Sequence, residues 1–473
     1  MFWNFEQFSD KIALIDDAGQ TVTYQELIGY GRNLADAIGE RCLVFSLCTN
    51  TIGSVLGYSA FMEHGIVPVL LNAHLEKELL RNLLETYQPE YVWLPIKCRE
   101  RIDFLPETQL RVVYEAYDYQ LIKNCGATSA VLYEKLALLL TTSGSTGSPK
   151  FVRQSYENIL ANARSIVQYL ELNDTERPVT TLPMNYTYGL SIINSHLLVG
   201  ATILLTDFGL MQKEFWHFMK EQDATSFGGV PYTYEMLDRL RFFRMDLPAL
   251  RTMTQAGGKL SPELHRKFAE YANEKNKHFV VMYGQTEATA RMGYLPYEMS
   301  LEKYGSMGIA IPGGRLWLRD IDGTQITKPD VVGELVYEGA NVTLGYAECR
   351  DDLAKGDERH GILETGDMAR QDVDGFFYIV GRKKRFLKVY GNRVNLDELD
   401  RMIKEHFDNL DCASSGQDDH VEIYITEAGK EQEIRSFVAA KTGLNSSAFS
   451  VYLIPEIPKN DAGKVLYKKL RSF

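Results

Sequence analysis

The sequence is poor in the features that mark several large classes of protein. Its 473 residues hold six cysteines, at 42, 48, 98, 125, 349 and 412, and no close pair recurs as a metal-binding unit. In a chain this long they read as scattered reduced thiols, not as a disulfide frame. The nine histidines are equally dispersed, and no H-E-x-x-H occurs. No long hydrophobic run is present: the most apolar stretch, LLVGATILL at 197–205, is too short to span a bilayer. The opening MFWNFEQFSDKIALIDD lacks a basic stretch followed by an apolar core, so no signal peptide and a cytoplasmic location are expected. Positive charge is in deficit, 51 Lys and Arg against 63 Asp and Glu, for a formal net charge of −12. That balance argues against nucleic acid as a partner, while leaving room for a small basic pocket. There is no internal repeat and no low-complexity tract.

What is present is globular. Hydrophobic residues make up 45% and charged residues 24%, and the length predicts two or more domains. Helix-like and strand-like stretches alternate to about residue 315. TYQELIGYGRNLADAIG (23–39), with Thr23 as cap, precedes the strand CLVFSL (42–47), and SVLGYSAFMEHG (54–65) precedes IVPVLLN. SPELHRKFAEYANEKN (261–276) precedes the strand HFVVMYG (278–284). This rhythm predicts an α/β body of crossover units on a mainly parallel sheet. From 316 to 380 the segments shorten and predict a small antiparallel, barrel-like subdomain. LDELDRMIKEHF, VEIYIT and EQEIRSFVAAKTG then predict a small α+β C-terminal domain, after a basic GRKKRFLK (381–388) that can act as a hinge. The expected division is 1–381 and 382–473.

The strongest local feature is ALLLTTSGSTGSPKF at 137–151. Thr142, Ser143, Gly144, Ser145, Thr146 and Gly147 combine hydroxyl donors with a backbone free to wrap phosphate oxygens, and Lys150 adds a positive charge. It is not the G-x-x-x-x-G-K loop, because Pro149 stands where the second glycine belongs. Taken alone, such a cluster is more often a solvated turn between strand and helix.

Four further segments remove that ambiguity: MYGQTEAT (282–289), TGDMAR (365–370), GRKKRFLKVYGNRVNLDELD (381–400) and IPKNDAGKVLYKKL (457–470). With the Ser/Thr/Gly loop, in this order, the chain resembles the adenylate-forming superfamily of acyl- and aryl-CoA ligases, peptide-synthetase adenylation domains and D-alanine–carrier-protein ligases. The resemblance spans most of the chain. It implies an enzyme that activates a small carboxylic acid with ATP and Mg2+, releases pyrophosphate and passes the acyl group from an acyl-adenylate to a thiol. That thiol belongs to CoA or, in the alternative of a standalone adenylation enzyme loading an acyl or amino acid, to the phosphopantetheine arm of an acyl carrier protein. A nonenzymatic nucleotide-binding scaffold is a remote alternative.

The resemblance also implies roles. Thr286 meets the α-phosphate, Glu287 holds the metal, and Tyr283 and Gly257 border the adenine. Asp367 and Arg382 meet the ribose, with Tyr378 packed near the nucleotide. Lys464 is the lysine that stabilises charge at the α-phosphate, and Lys384 matches the hinge. Tyr390 and Gly391 match the loop that meets the thiol-bearing arm. Tyr186, Tyr188, Gly189, Gly229, Ala256 and Gly258 form the expected acid pocket. Gly189 stands where amino-acid-activating members place an aspartate, which argues against an ammonium-bearing substrate. The tyrosines favour a small aryl, hydroxy or short acyl acid. His196 reads as a packed histidine, not a proton shuttle. Two positions depart from the family pattern: Lys384 and Arg385 replace a familiar acidic pair, and Tyr467 replaces an arginine. No attached carrier domain is expected, and the oligomeric state is left open.

Overall fold

Side-chain caps set the helix starts. A computed structural model describes residues 2–141, 150–320, 322–390, 392–408, 410–459 and 465–470. Thr23 accepts a hydrogen bond from the Glu26 amide while Glu26 accepts one from the Thr23 amide, so the helix Tyr24–Ile38 opens on a full capping box. Leu27, Leu34 and Ile38 fall on its buried face, as their spacing predicts. Ser261 caps the helix Pro262–Glu274, with Pro262 at its first position. The helix Ile52–Glu63 is buried all round from Ile52 to Met62, because it packs against strands of two different sheets. Its small residues make that possible: a Cβ on Gly57 would stand 2.2 Å from Trp93 Nε1, and the same indole N–H donates to Gly53 O at 3.0 Å.

The chain forms two compact units, Met1–Leu316 with Tyr337–Leu363, and Trp317–Val336 with Glu364–Phe473. The first holds two large sheets. One runs in the order Ile309–Ala310, Gly293–Tyr294, His278–Tyr283, Thr252–Gln255, Ser226–Gly229, Pro178–Val179, Ile203–Leu205, Ile12–Asp16 and Thr21–Thr23. Its centre is parallel and its two edges are antiparallel. The other runs Gly345–Ala347, Phe151–Ser155, Leu136–Thr141, Val67–Asn72, Leu43–Cys48, Tyr91–Pro95, Tyr119–Asn124 and Leu110–Ala116. Here the three central pairings are parallel and the outer ones antiparallel. The expected α/β body of crossover units is therefore observed, with antiparallel additions at the sheet edges.

The second unit contains most of a five-stranded sheet in the order Gln325–Ile326, Gly314–Arg319, Gly333–Gly339, Ile362–Gln371 and Phe377–Arg382. It also holds the hairpin Phe386–Val389 with Asn392–Asn395, and a three-stranded sheet, Cys412–Gln417, His420–Ile425 and Phe449–Leu453. The helices Leu396–His406 and Glu431–Thr442 share one apolar core with that last sheet. This is the α+β C-terminal architecture the sequence predicts. All six cysteines are free. Among the described residues no helix is long and apolar enough to cross a membrane.

Two buried histidines of the first unit tie its stability to pH. His196 Nδ1 donates to Ile192 O at 2.8 Å, and its Nε2 has no partner among the described residues. His265 Nδ1 accepts from the Gly305 amide at 3.1 Å, and its Nε2 lies 3.1 Å from Ser300 Oγ. The His265 ring keeps its Gly305 donor only when neutral, a second proton on His196 Nε2 would find no acceptor among the described residues, and burial pushes each down to about 4. The unfolded chain takes up these protons near pH 6.5, whereas the folded one resists until about 4, so stability falls as pH drops across that window. Urea unfolding at pH 5 should show a loss on the order of 2 kcal/mol per histidine relative to pH 7.5. His265→Gln should flatten part of that pH dependence, and an unchanged slope would disprove the assignment.

Candidate functional site

Three neighbouring parallel strands, Ser226–Gly229, Thr252–Gln255 and His278–Tyr283, end together on one edge of the first sheet. Carboxyl ends of such strands are where α/β ligand sites gather. Tyr283, half-buried, ends the last of them and leads into a tight turn. Gly284 is required there, because a Cβ would come within 1.6 Å of the Ala290 carbonyl oxygen. The Met292 amide donates to Tyr283 O at 2.8 Å and closes the base. Inside, Thr286–Ala288 forms one 3-10 turn, with Thr286 buried and Glu287 half-buried.

Glu287 is held from several sides. Its carboxylate accepts a hydrogen bond from Tyr346 Oη at 2.7 Å. Its backbone oxygen accepts from the Thr343 amide, from Thr343 Oγ1 at 2.9 Å and from Arg359 at 3.0 Å. Lys150 Nζ sits 3.6 Å from the centroid of the Tyr346 ring and 3.4 Å from Glu348. Burial and the charge of Glu287 push the Tyr346 hydroxyl up to about 12, so it stays a donor at neutral pH. Among the described residues no three His, Cys, Asp or Glu side chains come together. Magnesium is commonly held by one or two carboxylates, with phosphate oxygens and water completing the octahedron, so a lone Glu287 is a chemically adequate protein ligand.

The expected loop residues Thr142, Ser143, Gly144, Ser145, Thr146 and Gly147 lie outside the described residues, as do Gly391 and Lys464. The flanks of the loop are informative nonetheless. Thr141 pairs with Phe151 across an antiparallel ladder, so the segment joins two strands and not a strand to a helix.

Several of the residues expected to line the acid pocket lie near one another. Tyr186 is the N-cap of the helix Thr187–Leu198, and Tyr188 lies buried in its first turn. Tyr188 Oη donates to Thr254 O at 2.8 Å. Gly257 has a φ of +85°, and a Cβ there would stand 2.7 Å from Tyr186 Oη. Gly229 packs against Thr233, and the Ala256 amide donates to Gly229 O at 3.1 Å. Gly258 lies against Pro231. At Gly189 a Cβ would meet Pro183 O at 2.3 Å, so the backbone itself denies this position any side chain. Thr187 Oγ1 also donates to Thr289 O, tying the helix to the turn that carries Thr286.

Within the second unit, Asp367 and Arg382 face each other across the strand pair, Nε to Oδ1 at 2.8 Å. Asp367 is 3% exposed, whereas the Arg382 side chain is 56% exposed. Tyr378 Oη donates to Asp372 at 3.3 Å, and the Arg370 guanidinium lies over its ring. Lys384 is exposed in a short 3-10 turn, Lys383–Arg385. Tyr390 tops the hairpin with a φ of +48° and 54% exposure. The two departures from the family pattern touch: the Arg385 guanidinium lies 3.9 Å from the centroid of the Tyr467 ring, and its other side pairs with Asp397 and Asp400 at 2.7 Å each.

Sequence reasoning missed Arg291, which stacks 3.9 Å over Tyr188. The available signal was one charge in the otherwise small and apolar run ATARMG. It also missed Asn341, whose Nδ2 donates to both Ala288 O and Arg291 O at 2.9 Å.

Residues 1–347 match the family model described as AMP-binding enzyme. The chain belongs to that family. Its relatives include a 2-succinylbenzoate–CoA ligase of Bacillus cytotoxicus, 28% identical over 98% of this chain and 95% of the relative. The peroxisomal OPC-8:0-CoA ligase 1 of Arabidopsis thaliana is 30% identical over 71% of this chain and 63% of its own. Among solved structures, O-succinylbenzoate coenzyme A synthetase from Bacillus subtilis in complex with AMP superposes with a TM-score of 0.77, at 22% identity, over 99% and 97% of the two chains. ATP-bound MatB from Rhodopseudomonas palustris gives 0.78 at 20% identity, over 99% and 98%. The chain is thus an adenylate-forming enzyme of the acyl-CoA-ligase kind.

The Arg385–Tyr467 contact predicts an asymmetric response. Tyr467→Phe keeps the ring face and should leave urea stability within about 0.5 kcal/mol. Tyr467→Arg brings a second cation against Arg385 and should cost about 1–3 kcal/mol. Equal effects of the two changes would show that the ring is not acting on the cation.

Proposed function

We propose that the enzyme activates a small carboxylic acid with ATP, through an acyl-adenylate, and then transfers the acyl group to the thiol of CoA. The observation that carries this reading is the turn at the end of the strand His278–Tyr283. It holds a buried threonine and a fixed carboxylate, and Thr187 Oγ1 ties it to the helix that carries Tyr188. Supporting the choice of acceptor, a relative matched over 98% of this chain is named a CoA ligase.

A carboxylate is a poor electrophile because its leaving group is oxide. In the first step its oxygen attacks the α-phosphorus of ATP, the bond to the bridging oxygen breaks, and pyrophosphate leaves. Thr286 donates to the α-phosphate. The loop from Thr142 to Gly147, with Lys150, wraps the departing phosphates, and Lys464 neutralises charge at the α-phosphate as it builds. Magnesium, held by Glu287, would supply further charge neutralisation on the phosphate oxygens. Asp367 accepts from the ribose hydroxyls with Arg382 beside it, while Tyr283 and Gly257 flank the adenine and Tyr378 packs nearby.

The acyl carbon then carries AMP as a good leaving group, and a thiolate displaces it. Residues 382–473 move between the two steps about Lys384, and the Tyr390–Gly391 loop meets the pantetheine arm in the second. Gly189 leaves no room for the aspartate that an ammonium-bearing acid requires.

Acid-dependent and magnesium-dependent ATP–pyrophosphate exchange should be measurable across a panel of aryl, hydroxy, short-chain and amino acids. Lys464→Ala should lower it at least about 100-fold while ATP binding persists. Trapping with hydroxylamine, then competing CoA against an acyl carrier protein, identifies the acceptor. No exchange with any acid by folded, ATP-binding protein would establish the scaffold alternative instead.

A further inference from the structure

A buried cation without a countercharge stands beside the acid-side wall. Arg291 is 2% exposed, and a guanidinium keeps its proton in proteins. Its side-chain partners among the described residues are neutral. Nε and Nη2 donate to Ser191 Oγ at 3.3 and 3.1 Å, and Nη1 donates to Met282 Sδ at 3.0 Å, a weak acceptor. The Tyr188 ring covers one face. Among the described residues no carboxylate pairs with it.

The chain treats its other deeply buried arginine differently. Arg153, 0% exposed, gives its donors to the carbonyls of Leu344, Tyr346, Lys355 and Gly356 and pairs with Glu358 at 2.5 Å. A purely structural bridge between Ser191 and Met282 needs no charge, and burying one unpaired is costly. The cost is offset when an anion arrives from outside the protein.

Position favours the acid as that anion. Arg291 leaves the same turn as Thr286, five residues further on, and lies over Tyr188, whose hydroxyl borders Gly228. Adenylation removes the charge of the reacting carboxylate, so only a second anionic group stays charged through both steps and draws continuous benefit from a fixed cation.

We propose that Arg291 is a specificity-determining residue that pairs with a second anionic group of the substrate, which is therefore a small carboxylic acid bearing another carboxylate or a sulfonate. This rests on the adenylation reading above.

The decisive test compares matched acids in ATP–pyrophosphate exchange and hydroxamate formation: diacids against their monomethyl esters, and sulfo acids against their methylsulfonyl counterparts. The wild-type enzyme should favour the charged member at least about 30-fold in kcat/KM. Arg291→Met should shrink that ratio below about threefold, with Arg291→Lys between the two. The two series show which head group is preferred. Equal use of both members by the wild-type enzyme, or an undiminished ratio in Arg291→Met, overturns the proposal. If Arg291→Met does not fold, the wild-type comparison still decides it. Should no acid support exchange, the adenylation reading fails on its own. Calorimetry of a diacid and its ester on the wild-type protein then judges Arg291, with binding of the diacid alone supporting it and equal or absent binding overturning it.

Discussion

One amide holds the centre of the first unit together. Asn341 is buried and fully engaged: Nδ2 donates to Ala288 O and Arg291 O, and Oδ1 accepts from Tyr337 Oη at 2.7 Å. Its backbone oxygen accepts from Thr289 Oγ1, also at 2.7 Å, which steadies a threonine at a φ of +65°. A residue in that region is strained without such support. The placement of Thr286, Glu287 and Arg291 depends on this set of bonds. Side chains whose partners are fixed in this way need little reorganisation when charge develops beside them.

Much of the architecture was legible because it rests on local chemistry. Thr23 with Glu26, and Ser261 with Pro262, mark helix starts through bonds made within a few residues. The strands Leu43–Cys48, Val67–Asn72, Leu136–Thr141 and His278–Tyr283 were legible from their apolar runs. Long-range contacts were not. The strand Gly345–Ala347 joins Phe151–Ser155 from almost two hundred residues away along the chain, and nothing in either segment names the other. The antiparallel ladder across the Ser/Thr/Gly loop was hidden likewise, because an apolar strand reads the same before a helix as before another strand.

The motifs nominated Thr286, Glu287, Asp367 and Arg382 by resemblance, whereas the contacts of Asn341, Tyr346 and Arg291 emerged only from the fold. Arg385 and Tyr467 show why. Each alone was a departure from a pattern, and only their stacking makes the pair intelligible. A cation on an aromatic face, with two carboxylates also paired to it, makes these two positions one unit. The net charge of −12 was equally uninformative about the interior, where Arg153 and Arg291 lie buried.

The first compact unit recruits Tyr337–Leu363 after the chain has passed through Trp317–Val336 of the second. This has a consequence for the order of events during biosynthesis. At ribosomal elongation rates, Asn341 emerges several seconds after Arg291, about fifty residues behind it. Until then Ala288 O and Arg291 O lack the Asn341 donor, keeping only those of Ala290 and Asn162, and the Glu287 carboxylate lacks Tyr346. The nascent N-terminal body therefore completes the turn that carries Thr286 and Glu287 only after part of the second unit has been synthesised.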